Sequence, residues 1–359
     1  MAEIYAIGPL LADKQQNKLL LKRLNADLKA VAPKASAIDF PYVDHYHPLK
    51  MILGYHKEPI RKQLCAGPGK FQVEASYGYS SDRKTVYIDL GTILGPQTIP
   101  RLARTPLNTS SRGVGELLKK VVGAETEKVV FVNPENIATD LGMGMFSELG
   151  VTFFDQRGLP FEVSGGKLGQ IASFSFEHFD SRWQKLQYWL LDNQTEKSTL
   201  TGEQSISQQH CELTGASPEL VKFLEQETKK FTQQVDELLQ KQLTNQPQAA
   251  LGNGFAFGCL AFFRQVIVKD QIAAFAENTD FETRLQQADY FVTLDRYGPF
   301  RELLAQHQLP TLVLQTTKDP PKSSPNELVL PFQLADTEFE QLEKGMQALV
   351  GLLYFRKTN

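Results

Sequence analysis

Apolar and polar positions along this 359-residue chain change period repeatedly, and each change marks an element. Leu19, Leu20, Leu24, Leu28 and Val31 recur at helical spacing between Lys14 and Ala32 and stop before Pro33, which predicts a helix. A short strand pattern, Ala37 to Phe40, follows. Lys70 to Tyr79 and Thr85 to Leu90 both alternate with period two around the turn residues Ser80, Ser81 and Asp82, the pattern of a β-hairpin. Gly115 to Val122 and Thr139 to Leu149 read as helices; Lys128 to Val132, Val151 to Asp155 and Lys185 to Leu191 read as strands. Ser217-Pro218-Glu219 opens a longer helix with a capping hydroxyl and a proline at its first position. Val221, Leu224, Phe231, Val235 and Leu238 carry that helix to about Leu243. Tyr290 to Thr293, Thr311 to Leu314 and Glu327 to Leu330 are short apolar strands separated by helical segments, and Asp319 to Pro325 reads as a surface loop. This alternation predicts an α/β protein with parallel strands and crossover helices.

Composition narrows the class. The length exceeds what one hydrophobic core usually serves, so two domains are expected. With 42% hydrophobic and 22% charged residues there is apolar material for both cores, and no reason to expect disorder. A formal charge of −3 argues against a non-specific grip on nucleic acid, which depends on neutralising phosphates. No apolar run reaches the length of about 18 residues that a membrane span needs. The start, MAEIYAIGPLLADKQQ, lacks a basic n-region and a small-residue cleavage site, so a cytosolic protein is expected. Cys65, Cys211 and Cys259 are far apart, form no C-x-x-C pair, and read as buried or inert thiols.

One run of motifs is more specific. Pro106 to Leu118 (PLNTSSRGVGELL) resembles the P-L-x-T-T-S-Y-G-T-G-E-L-I signature of bacterial glycerate kinases, with Arg112 in place of the tyrosine. Collinear matches continue through Ala138 to Gly158, Gly165-Gly166 with Leu168, 213–226, 253–263 and Phe281 to Thr293. The resemblance covers about residue 100 onward; the first 70 residues agree in length and pattern. It implies a kinase that moves the γ-phosphoryl group of ATP onto D-glycerate with magnesium. It also implies two α/β domains around a cleft. One is a Rossmann-like parallel-sheet domain built from residues 1–70 and 285–359, and the other an inserted mixed α/β domain of residues 71–284.

Phosphoryl transfer is catalysed chiefly by positioned donors, metal-holding acids and close backbone approach, so the site motifs can be compared one residue at a time. The family's A-P-D-S-F-K-G-S corresponds to Gly8 to Gln15, where Leu10 takes the aspartate position; Asp13 and Lys14 either substitute after a shift of one residue or form a solvated helix start. The D-G-G-E-G-T loop becomes Asp44-His45-Tyr46-His47-Pro48, keeping the acid and losing the glycines. Asp44, His45, His47 and His56 read either as a metal cluster or as ordinary histidines beside an acid. G-G-S-A-T-N-D-G-G becomes Pro134 to Gly142, keeping Asp140 and Gly142. It follows a strand and opens a helix, where an anion would meet free amides, yet Pro134 removes a donor and Glu135 adds negative charge. C-D-V-x-N-P-L keeps Asp192, the glycine-rich run keeps Gly254 but gains Phe255 and Phe257, and T-G-E-G-R-L-D-G-Q-T keeps Asp295 and Arg296.

The resemblance therefore assigns catalytic positions to Asp44, Asp140, Asp192 and Lys14, and cofactor-binding positions to Asp295, Gly254 and Gly142. Three readings follow. In the first, the chain keeps the scaffold, has lost the chemistry, and serves as a ligand sensor or as the subunit of a protein partner. In the second it is a working ATP- and magnesium-dependent kinase on D-glycerate or a related small hydroxy acid. In the third, His45 or His47 serves as the base of a different enzyme.

Overall fold

The structure, a computed structural model, describes residues 4–7, 18–19, 22, 25–26, 29–30, 33–34, 36–39, 47–192, 198–294, 304, 306–315 and 327–331. Within these, the strands in chain order are β1 (Ile4–Ile7), β2 (Ser36–Asp39), β3 (Arg61–Ala66), β4 (Gln72–Tyr79), β5 (Thr85–Asp89), β6 (Lys128–Val132), β7 (Thr152–Phe154), β8 (Ser173–Ser175), β9 (Gln187–Asp192), β10 (Gln265–Asp270), β11 (Tyr290–Leu294), β12 (Thr311–Gln315) and β13 (Glu327–Pro331). The helices are α1 (Pro48–Tyr55), α2 (Leu90–Leu94), α3 (Arg112–Val121), α4 (Met143–Glu148), α5 (Ile206–Gln209), α6 (Cys211–Thr214), α7 (Pro218–Leu239), α8 (Phe255–Phe262), α9 (Gln271–Glu277) and α10 (Phe281–Gln286). The expected helix from Lys14 to Ala32 lies largely outside the described residues, and the loop from Asp319 to Pro325 lies wholly outside them.

The chain divides into two compact units, Met1–Asp44 with Ile272–Asn359, and His45–Gln271. β3 pairs with β4 and so lies in the second unit. In the first unit, a five-stranded sheet runs β13-β12-β11-β1-β2, and every neighbouring pair is parallel. From β1 the chain builds outward to β2, and from β11 it builds the other way, so the order reverses between β1 and β11. The carboxyl side of such a reversal is where open α/β sheets take their ligands.

The second unit holds a six-stranded sheet ordered β10-β9-β6-β5-β4-β3. β5, β6, β9 and β10 are parallel, while β3, β4 and β5 are antiparallel. The β4–β5 hairpin is the one expected from the period-two pattern, with Tyr77 opposite Ile88. β3 and β10 were not expected. Both are edge strands whose partly exposed sequences, RKQLCA and QVIVKD, show no clean apolar alternation.

Packing explains several boundaries. α3 buries Val114, Leu117, Leu118 and Val121 and crosses β3 so closely that a Cβ on Gly113 would lie 1.7 Å from the Ala66 carbonyl oxygen. The helix expected from Thr139 begins at Met143, because Leu141 and Gly142 both take left-handed conformations, with φ of 52° and 83°. Ser217 caps α7 as expected, its Oγ accepting from the Leu220 amide at 3.4 Å. That helix ends at Leu239 rather than near Leu243. Gln240 turns left-handed, and the Asp236 carboxylate takes the amides of Leu243 and Thr244. The aromatic centre of the core joins Phe146, Phe153, Tyr188, Phe262 and Phe263, with Tyr188 and Phe263 stacked at 3.7 Å. All three cysteines are free thiols, and burial pushes Cys65 up to about 11, well away from reactive thiolate behaviour. Among the described residues, no helix is long and apolar enough to cross a membrane.

Candidate functional site

The loop that leaves β6 organises the region where the sequence places Asp140 and Gly142. Asn133, left-handed at φ 52°, donates from Nδ2 to Asp89 Oδ1 at 3.0 Å. Gly91 makes room for it, since a Cβ there would sit 2.1 Å from that amide nitrogen. Asp89 is the last residue of β5. Burial raises its carboxyl above the ordinary range, opposed first by the Asn133 hydrogen bond and then by the Thr92 and Gly91 amides and the charge of His47. Farther along, Asn136 accepts from the Ala138 amide at 2.7 Å and donates to the Gly252 carbonyl at 2.8 Å, while Asn253 donates to the Ala138 carbonyl at 3.0 Å. Two side-chain amides thus stitch the loop after β6 to the turn before α8. Pro134 is buried in this seam and Glu135 faces outward.

Asp140 is fully buried, at 0% exposure. Its Oδ2 accepts from the Ser111 amide at 2.7 Å, the Ser111 hydroxyl at 3.0 Å and the Gly144 amide at 3.0 Å, and its Oδ1 accepts from the Gly142 amide at 3.2 Å. Burial pushes the carboxyl up, and these donors pull it back. The Ser111 and Gly144 amides belong to the starts of α3 and α4, so one carboxylate serves the positive ends of two helices. The anion that the sequence expects at this helix start is therefore present, and it is the protein's own.

Among the described residues, the first amides of α4 are engaged. Gly142 and Gly144 donate to Asp140 side-chain oxygens, Met143 to the Asp140 carbonyl at 2.9 Å, and Met145 to Ser111 Oγ at 3.0 Å. At the start of α8, Gly254, Phe255, Ala256 and Phe257 donate to the carbonyls of Ala250, Gly252, Leu251 and Gly254. Gly142 and Gly254 share a φ of 83°, which side chains avoid. A Cβ on Gly254 would also meet Leu141 Cδ2 at 2.2 Å. Both glycines have a backbone reason to be glycine.

Asp192 ends β9 half-buried and lies in register beside Asp270, the last residue of β10. Asp89, Asp192 and Asp270 each close a parallel strand at its carboxyl end. Asp89 and Asp270 were missed in the sequence, although an acid directly after an apolar strand run was a usable signal. Lys14, Asp44, His45, Asp295 and Arg296 lie outside the described residues. In chain terms, Asp295 follows the last residue of β11, and the segment holding Lys14 follows β1. His47 is exposed just before Pro48 opens α1, and His56 caps its other end. Among the described residues, no three His, Cys, Asp or Glu side chains are placed to hold a metal ion together.

Comparison with known proteins points one way. A family model described as the glycerate kinase family matches residues 22–295. The chain is 28% identical over 293 residues to a glycerate kinase of Bacillus cereus (strain ATCC 10987 / NRS 248), covering 80% of this chain and 75% of that protein. It is 27% identical over 237 residues to a glycerate kinase of Bacillus subtilis (strain 168), covering 65% of this chain and 60% of the relative. A glycerate 2-kinase of Escherichia coli (strain K12) is 23% identical over 235 residues, covering 65% and 61%. The crystal structure of a glycerate kinase 2 from Salmonella typhimurium LT2 superposes with a TM-score of 0.80 over 100% of both chains at 18% identity, a likeness of fold.

Proposed function

The chain belongs to the glycerate kinase family, and from that premise we propose that it keeps the family scaffold without phosphoryl transfer, acting as a sensor of a small ligand or as a partner subunit. One observation carries this reading. Asp140 has all its hydrogen bonds from inside the protein and none of its surface exposed. Its survival follows from holding two helix starts together, without any need for chemistry. The same holds for Gly142 and Gly254, whose conformations and contacts require glycine, and for Gly113, pressed against Ala66. The motif residues that persist among the described residues thus largely have a scaffold task, while glycines whose use would be close approach to phosphate are replaced.

The family implies ATP and magnesium, with D-glycerate as acceptor. A triphosphate needs free amides or cations. The amides at the starts of α4 and α8 are already engaged, and Glu135 adds a negative charge to the loop beside them. These described residues do not fit the group. An assay coupling ADP release to ATP, magnesium and D-glycerate tests the reading, with turnover expected at the level of the enzyme-free blank. Turnover in the ordinary kinase range of about 1–100 per second would contradict it.

A second reading, a working kinase on D-glycerate or a related hydroxy acid, is favoured by Asp192 and Asp270. Two carboxylates in register at the carboxyl end of a parallel sheet are suited to bind magnesium through oxygen. The same assay separates the two.

A further inference from the structure

Two stretches of the second unit carry no acid: residues 59–73, with Arg61, Lys62 and Lys70, and residues 90–115, with Arg101, Arg104 and Arg112. The fold brings them into contact. A Cβ on Gly69 would sit 2.9 Å from Ile99 Cδ1, and the Ser110 amide donates to the Pro68 carbonyl at 2.9 Å. Four of the ten large apolar side chains exposed among the described residues, Ile60, Leu64, Phe71 and Leu102, fall in these stretches, so bare apolar surface and positive charge are gathered together. Phe71 is 64% exposed and Leu102 is 103% exposed, as open as in an extended peptide. Each directly follows an exposed basic residue, Lys70 or Arg101.

A lone exposed leucine is ordinary, whereas two basic–apolar pairs on touching loops need an explanation. Both loops are held in shape from behind. The Gly67 amide donates to the Phe71 carbonyl at 2.8 Å and closes the turn that carries Lys70 and Phe71. Arg104 donates from Nε to the Ile99 carbonyl at 3.2 Å, from Nη1 to the Leu213 carbonyl at 2.8 Å and from Nη2 to the Pro96 carbonyl at 2.6 Å, which fixes the loop that carries Leu102. Lys62 pairs with Glu74, and Arg112 with Glu116 and Glu148. Lys70, Arg101 and Arg104 form no ion pair among the described residues, and Glu212, exposed beside Leu213, is an acid on the neighbouring helix α6. Phe71 and Leu102 stand out from the surface on pinned loops, so little freedom is lost when they are covered. A fluid acyl layer takes such tips without a matching pocket, which a protein partner would have to supply for each.

We propose that the turn of Lys70 and Phe71 and the loop of Arg101 and Leu102 form a docking surface for an anionic lipid bilayer. Phe71 and Leu102 enter the boundary between headgroups and acyl chains, while Lys70 and Arg101 lay their stems along it and hold their charges at the lipid phosphates. The half-buried Arg104 adds a positive charge behind them. Two short apolar tips and a few charges give a reversible attachment rather than an anchor. The surface uses none of the residues assigned to the kinase motifs and stands whether or not the chain is a kinase.

The test is co-sedimentation of the full chain with vesicles of equal parts phosphatidylcholine and phosphatidylglycerol, and with vesicles of phosphatidylcholine alone. The expected result is half-binding to the anionic vesicles at about 1 mM lipid, weaker than a single myristoyl chain gives, and far less binding to the neutral ones. K70Q/R101Q should weaken it by about twentyfold, from about fivefold for each basic residue at an anionic surface. F71S/L102S should weaken it by about tenfold or more. K222Q/K229Q, the same loss of charge on exposed positions of α7, should leave it unchanged. The single variants F71S and L102S carry the test with smaller effects should the double variant fail to fold. No binding to the anionic vesicles at ten times that lipid, or an equal loss in K222Q/K229Q, would overturn the proposal. So would a dimer of the chain that F71S/L102S dissolves, since the surface would then belong to a second copy.

Discussion

Asp140 and Asp89 are both buried acids, and they answer to different physics. Asp140 has a donor for every role its carboxylate plays, so D140N places an amide N–H against backbone N–H groups that have no other acceptor. Losing a charged acceptor and orphaning buried donors should cost about 3 kcal/mol, read as a lowered urea midpoint at unchanged slope. Asp89 has one side-chain donor, Asn133, and its carboxyl is raised by burial. A raised carboxyl binds its proton more tightly when folded. Stability relative to D89N should therefore be greatest below about pH 4 and fall as pH rises through the raised folded value, then stay level. Denaturation of both proteins across pH 3 to 8 checks the sign, and a wild type that gained on D89N with rising pH would refute it. At this scale the sequence was only half readable. It singled out Asp140 because an acid survives in a motif, but a motif cannot distinguish a carboxylate facing a ligand from one facing Ser111 and Gly144. It passed over Asp89 and Asp270, although each closes an apolar strand run.

Elements were more legible, because periodicity reports burial directly. The hairpin of β4 and β5, the buried strand β6, the start of α7 and the C-terminal strands β11, β12 and β13 all lie where the apolar pattern places them. What failed were edges and ends. β3 and β10 stand at the edges of the sheet among the described residues, and their polar residues blur the alternation. The start of α4 is set by the left-handed pair Leu141-Gly142 and the end of α7 by Asp236, both decided by contacts distant in sequence. The crossing of α3 over β3 yields the clearest prediction at this level. In G113A the new methyl meets a backbone oxygen that cannot rotate away, so the helix must lift. The expected loss is about 2 kcal/mol, measured by thermal or urea unfolding. An alanine variant as stable as wild type would mean that the two elements pack more loosely than described.

For the molecule as a whole, the first unit carries a parallel sheet and the second a mixed one, and acids close three parallel strands of the second. Asp192 and Asp270 stand in register in the second unit. In the first unit, β1 and β11 flank the reversal in strand order, where chain topology favours a ligand. The proposed loss of phosphoryl transfer requires that this frame no longer seat a nucleotide. Titration calorimetry of the intact chain with ATP and excess magnesium tests it most directly. We predict no saturable heat up to millimolar nucleotide, whereas one site per chain with micromolar affinity, worth about 8 kcal/mol, would contradict the claim.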